Sequence, residues 1–386
     1  MNNKIIISCI FLISISSYAN TDFSPYKIVS KDYETVSGSE KIIDNMPIVR
    51  FQGPLDLCYA FSSATLLQKY YCDDMKIKKC SEVSMDETIS PIGITGFKEP
   101  LKSKVNEKGD YIAIDRNTFA HSFIDLGGEG AGGSHFELLD NAKFHHHFCT
   151  ESFFPFDQFA GVNNFPHFYS KQKMTELKKM VDGKIEQLKN TYYKYKIETE
   201  SVEACTECLS EVKNIIAVNG RNPFIQKAFG KGSFEEFLYE AFFRQCNKKV
   251  KLTTPTMGSF PAKNISVESD YLTNKNHQQK SELINQIKKV LNNNIPLQIL
   301  FCAQKTNNKC TGSHVTVVSG YKKVCKNNDQ CVDMLRLQNS YGVGWQKLYN
   351  DGWVVADEIL NAISEVASKN EIQSGSMTWL SKGPLN

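Results

Sequence analysis

The chain has 386 residues, with 45 Lys+Arg against 42 Asp+Glu and 41% hydrophobic residues. That near-neutral balance removes any global electrostatic case for a nucleic-acid or membrane-surface partner. The length allows a large apolar core in one or two domains.

Residues 1–22 read MNNKIIISCIFLISISSYANTD. One Lys precedes an apolar run from Ile5 to Ile15, too short to span a bilayer comfortably. Ser17-Tyr18-Ala19 then supplies the small residues of a cleavage site. This predicts a leader over 1–19, cut after Ala19, and so a secreted or periplasmic protein. No later stretch reaches the roughly 18 apolar residues of a membrane span. Residues 20–50 are polar and turn-rich and follow no clear period, as a short pro-segment or an N-terminal extension would.

The sequence holds twelve cysteines, and Cys9 belongs to the leader, which leaves eleven. An odd count in an oxidising compartment predicts one free thiol beside up to five disulfides. Close spacing pairs Cys72 with Cys80, Cys302 with Cys310, and Cys325 with Cys331 at a hairpin tip. Cys149, Cys205, Cys208 and Cys246 then have three possible connectivities. Cys58 is left over.

From Cys58 the period becomes helical, with Ala60, Ala64, Leu67 and Tyr71 on one face. Gly53-Pro54 cannot sit inside that helix, so it begins at or just before Cys58. A glycine-rich loop, DLGGEGAGG (125–133), precedes a capping box at Ser134–Glu137 that opens a helix to about Lys143. FFPFDQF (153–159) reads as extended. Residues 171–196 read as a charged amphipathic helix broken near Gly183, and Phe234–Cys246 as a more apolar one. A further helix runs from Ser281 to Asn292. Strands dominate afterwards, at 296–301, 314–322 and 333–340, followed by the Gly-rich turn YGVGW and the strand-like DGWVV. Helices first and strands last predict an α+β fold.

A cysteine nucleophile needs a stabilised thiolate, a histidine that protonates the leaving group, and donors for the oxyanion. Cys58 at a helix start meets the first need. Gln52, six residues earlier, brings a side-chain amide for the third, together with the Cys58 backbone N–H.

The stretch QGPLDLCYAFS, Gln52–Ser62, resembles the papain family of cysteine peptidases, whose pattern is Q-G-x-C-G-x-C-W-A-F-S. GSHVTVVSGY (312–321) is similar to the family's histidine strand, and LQNSYGVGW (337–345) to its N-S-W-G-x-x-W. GAGG ahead of a helix and ESFFPF at 151–156 match its C-x-G-G loop and Y-P-Y more weakly. The resemblance implies a two-lobed fold over 51–386, with the nucleophile helix in a helical lobe and the His and Asn in a barrel-like one. It implies Cys58 as nucleophile, His314 as acid/base, Asn339 as the residue orienting the His314 ring, and Gln52 in the oxyanion hole. Gly132 and Gly133 would pair with an extended substrate as an added strand. A protein or peptide substrate, a monomer and no cofactor or metal follow from the same likeness.

Several positions depart from the pattern. The family's extra cysteine is Leu55 here and its disulfide partner falls at Gly130, so both halves are missing together. Tyr59 and Tyr341 replace tryptophans, the second of which leaves a smaller shield over the Asn339–His314 bond, and Ser313 precedes the histidine. His314 lies 256 residues past Cys58 (314 − 58) and Asn339 lies 281 past it (339 − 58), against about 130–150 in the family. An ordered helical insertion at about 157–280, carrying Cys205, Cys208 and Cys246, accounts for most of the excess.

Other features take plainer readings. His145-His146-His147 point in different directions on a helix and have no second ligand cluster for a metal. Cys205-x-x-Cys208 fits structural disulfides. The Lys-rich helix reads as a solvated face. Asn264-Ile265-Ser266 is a sequon with meaning only in a eukaryotic secretory route. Two alternatives use the same residues: a catalytically silent module that keeps the peptide cleft, and acyl transfer to an amine.

Overall fold

A computed structural model describes residues 25–95, 147–162 without 154, 170–198, 206–216, 249–260 without 254, 274–367 without 307–308 and 328–329, and 377–385 without 384. Short pieces at 104–105, 111–112, 138–139, 225, 228–230, 232–234 and 237–238 are described as well. The leader, the loop with Gly132 and Gly133, His145, His146, Cys205, Cys246 and the sequon lie outside the described residues.

The architecture is α+β, as the order of elements predicts. The first helix, α1 (Cys58–Asp74), starts after a turn in which Gly53 takes φ +64°. Nearly every residue from Tyr59 to Cys72 is buried, so α1 is a central helix and not a surface one. Around it stand α2 (Pro91–Thr95), α3 (Phe156–Ala160), α4 (Lys171–Glu198) and α5 (Thr206–Ile216).

Two helical readings are corrected here. FFPFDQF is not extended throughout, because Pro155 stands just before α3 and Gly161 ends it in the left-handed conformation. Nor does Gly183 break α4, which runs 28 residues. Leu177, Val181, Leu188, Tyr192 and Tyr195 form a buried seam on both sides of the glycine. Burying that seam outweighs the cost of about 1 kcal/mol for an interior glycine. Phe234, Phe237 and Leu238, from the predicted apolar helix, are helical and buried. Leu138 and Leu139, from the one after the glycine loop, are too.

The main sheet is antiparallel. Its long strands are β8 (Leu297–Thr306), β9 (Lys309–Lys326) and β10 (Gln330–Gln338), flanked by β11 (Trp353–Val355) beside β10 and by β12 (Met377–Ser381) beside β8. β7 (Thr256–Phe260) pairs with β12, so the stretch expected as a helical insertion also contributes to this sheet. β6 (Lys249–Lys251), from the same stretch, pairs with β5 (His147–Cys149). A small hairpin joins β3 (Lys104–Val105) to β4 (Tyr111–Ile112). The YGVGW motif is not a turn but a short helix, α7 (Gly342–Leu348). Two more helices, α6 (Asn274–Asn292) and α8 (Ala356–Ala367), pack on the sheet.

Residues 34–42 give two short strands that periodicity did not reveal. β1 (Glu34–Thr35) and β2 (Lys41–Ile42) pair with Val324–Cys325 and Gly320–Tyr321 of β9. They continue the flank of β9 that β8 leaves at Val318.

Two large apolar cores result. One surrounds α1 and the helices beside it; the other lies between β8, α6 and α8. β9 serves both, with Val315 and Val317 in the first and Val318 in the second, as strand alternation requires. A buried polar network crosses between α1 and the sheet. Gln298 donates to the Ser62 and Ser63 hydroxyls, each at 2.9 Å, and accepts from Thr378 at 3.0 Å.

Three disulfides join Cys72–Cys80, Cys302–Cys310 and Cys325–Cys331, the pairs that spacing predicts. Cys149 is disulfide-bonded as well. These bonds belong to an oxidising, extracellular type of environment. Among the described residues no helix is long and apolar enough to cross a membrane.

Candidate active site

Cys58 is the first residue of α1, half-buried and reduced. No side chain caps this helix, so its first backbone N–H groups have no intrahelical partner. Those of Cys58 and Tyr59 instead turn toward the Cys58 sulfur, as does the N–H of Val315 on β9. Val315 directly follows His314, so the thiol is held against the histidine strand.

His314 is buried on β9, and Asn339 is buried just past the end of the neighbouring β10. Thr316 fixes the strand ends by donating to Gln338 O at 3.1 Å. His314 Nε2 and Asn339 Oδ1 are 2.9 Å apart. The Tyr341 N–H also points at Oδ1, at 3.4 Å, which identifies that end of the amide as the carbonyl. Nε2 therefore carries the ring proton and Nδ1 is bare. The Tyr341 ring stacks on the imidazole at 4.5 Å, and its hydroxyl lies 3.4 Å from Nδ1. Gly342, at φ +86°, lets this loop close on Phe51, whose Cβ an added side chain would meet at 3.1 Å.

Gln52 joins the same group. Its N–H donates to Ser340 O at 2.9 Å, and Ser340 Oγ donates to its Oε1 at 2.5 Å. Its Nε2 donates one hydrogen to Leu55 O at 2.5 Å, and a second amide hydrogen remains. The turn is anchored through Arg50. Its guanidinium pairs with Glu151 at 2.5 Å and lies over the Phe61 ring at 5.3 Å. Glu151 also accepts from Phe156 N at 2.9 Å, so the ESFFPF segment is fastened to the Gln52 turn.

Gln52, Cys58, His314 and Asn339 are thus brought to one place by α1, β9 and the loop after β10. Gly132 and Gly133 lie outside the described residues. Sequence reasoning missed Tyr26. Its ring meets those of Trp345 at 5.1 Å, Tyr349 at 5.6 Å, Phe301 at 5.8 Å and Tyr341 at 6.4 Å, each edge to face. One aromatic residue in a stretch without a period carries no signal that could have marked it.

The electrostatics overturn one expectation. A helix N-terminus was expected to acidify Cys58, but burial pushes its thiol up to about 11. The N–H groups of Val315, Tyr59 and Cys58 pull the other way without prevailing, and the Asp56 charge adds to the rise. Burial likewise pushes His314 down to about 4, against the opposing Asn339 bond. At neutral pH the two groups rest as thiol and imidazole.

Among the described residues no group of three His, Cys, Asp or Glu stands close enough to hold a metal ion. No protein-family model matches the chain, and no curated protein matches it either.

Proposed function

We infer that the chain is an exported, papain-like cysteine endopeptidase acting on proteins or peptides. The observation that carries this reading is the contact of His314 Nε2 on β9 with Asn339 Oδ1 just past β10, with a reduced cysteine at a helix start held to β9. Two apolar cores that share β9 support a two-lobed fold of this kind.

The chemistry starts from the neutral pair. The substrate carbonyl enters beside Cys58, and as the sulfur attacks carbon the thiol proton passes to the unprotonated Nδ1 of His314, whose lone pair the Tyr341 hydroxyl releases. Asn339 accepts from Nε2–H throughout and stabilises the imidazolium that forms. The oxyanion takes hydrogen bonds from the Cys58 N–H and from the remaining Gln52 amide hydrogen. His314 then returns its proton to the leaving nitrogen, the C–N bond breaks, and a thioester remains. Water attacks the thioester with His314 as base, releasing the acid and restoring the thiol.

A second reading, a silent peptide-binding module, draws on the high pKa of Cys58 and the engagement of Gln52 by Leu55. Incubation with an unstructured protein, with product termini read by mass spectrometry, separates the two. The wild type should cleave it and Cys58→Ala should not. Cleavage surviving in Cys58→Ala refutes the peptidase reading. Binding without turnover in the wild type supports the silent module.

A further inference from the structure

Outside the four residues, the N-terminal segment brings a further polar side chain to the site, Tyr26. Tyr26 lies ahead of β1, and the chain around it is fastened at several points. Lys27 O accepts from Val355 N at 2.7 Å, and Lys27 pairs with Glu358 at 3.2 Å. Val29 and Tyr33 pack on a small core with Val324, Met334, Trp353 and Val355. Tyr26 itself stands among four aromatic rings, and its hydroxyl is buried.

Asn339 presents a related problem. Its Oδ1 serves His314 and the Tyr341 N–H. Its Nδ2 is buried and has no hydrogen bond of good geometry among the described residues. Asn339 and Tyr341 are the side chains within hydrogen-bonding influence of the Tyr26 hydroxyl, with Tyr349 and Cys58 acting on it only through charge. Tyr341 in turn reaches His314 Nδ1.

We propose that Tyr26 is a positioning residue of the site, closing a loop of four side chains that holds Asn339 with its carbonyl toward His314. The proposal rests on the peptidase reading for its effect on turnover. The protons run one way round. His314 Nε2–H donates to Asn339 Oδ1, Asn339 Nδ2–H to the Tyr26 oxygen, Tyr26 O–H to the Tyr341 oxygen, and Tyr341 O–H toward His314 Nδ1.

Reversing every donor gives the only other arrangement of the loop. There Nδ2 faces Nε2, and His314 must carry its proton on Nδ1. That ring cannot accept the Cys58 proton. The Tyr341 N–H, which only a carbonyl oxygen can accept, selects against the reversed loop. Without the Tyr26 oxygen, the productive orientation strands a buried donor and loses its advantage.

Tyr26→Phe keeps the ring and deletes the oxygen. In the full chain, kcat for a peptide substrate should fall by about tenfold with KM within a factor of two. Long-range nitrogen–proton NMR, with His314 assigned through His314→Gln, should show the Nε2–H form in the wild type and a growing Nδ1–H share in Tyr26→Phe. Wild-type kcat and tautomer in Tyr26→Phe, even with Tyr26→Ala impaired, would overturn the proposal and leave Tyr26 as packing alone. A wild type without turnover refutes the peptidase reading; the tautomer shift would still sustain the loop, and its absence would still sink it.

Discussion

Replacing His314 by glutamine should remove a pH-dependent share of the folding stability, whatever the chain does to its substrates. Burial holds the imidazole pKa at about 4, below the ordinary 6.5. The unfolded chain therefore binds this proton more readily than the folded one. The stabilisation is fully present above pH 6.5 and is lost as pH falls toward 4. At about 1.4 kcal/mol for each pH unit between the two values, the full change is about 3.5 kcal/mol, of which about 3 kcal/mol is expressed by pH 4. Urea melts of wild type and His314→Gln, taken from pH 7.5 down to 4, measure it. The wild type's margin over the variant should shrink by about 3 kcal/mol across that range. Asp157, raised to about 6 by burial, works in the opposite direction but is common to both chains. Margins that stay constant with pH would show that His314 titrates alike in both states and would refute the neutral-imidazole description.

The thiol makes a companion test. Neutral iodoacetamide should label Cys58 slowly at pH 7 and faster as pH rises toward about 11, whereas fast labelling that is flat down to pH 5 would mean a thiolate–imidazolium pair. Arg50→Ala should cost about 3–5 kcal/mol in a urea melt, because Glu151 is left charged and buried. The two side chains are only 11% and 7% exposed, and Arg50→Met with Glu151→Gln should recover much of that loss; a single variant as stable as the double would refute a strained burial of charge.

The parts of this molecule that the sequence made readable are those with a strong local code. α1 is marked by a Gly-Pro turn and helical spacing, the strand carrying His314 by a β-branched run, and three disulfides by short spacing. Readings failed where burial overrode local preference. Gly183 reads as a break, but the tyrosine- and leucine-lined seam of α4 carries the helix through it. The acidity of Cys58 was misjudged for the same reason. A helix terminus offers partial charges, whereas partial burial of the sulfur costs the thiolate hydration, and the second effect is larger here. The weave of residues 25–43 into the sheet was illegible, because two-residue strands have no period and their partners lie far along the chain.

That last feature bears on the order in which the molecule assembles. Glu34 pairs with Cys325, 291 positions later (325 − 34). The strand β1 therefore leaves a ribosome long before its partner strand exists. Most of the core around α1 comes from residues that appear earlier, whereas the sheet flank closed by β1 and β2 forms only across a very long loop. Domains form in the order they are synthesised when their contacts are local, and this one is not. β1 and β2 join the sheet only once β9 has been made, so a chain cut short before β9 leaves residues 34–42 without a strand to join.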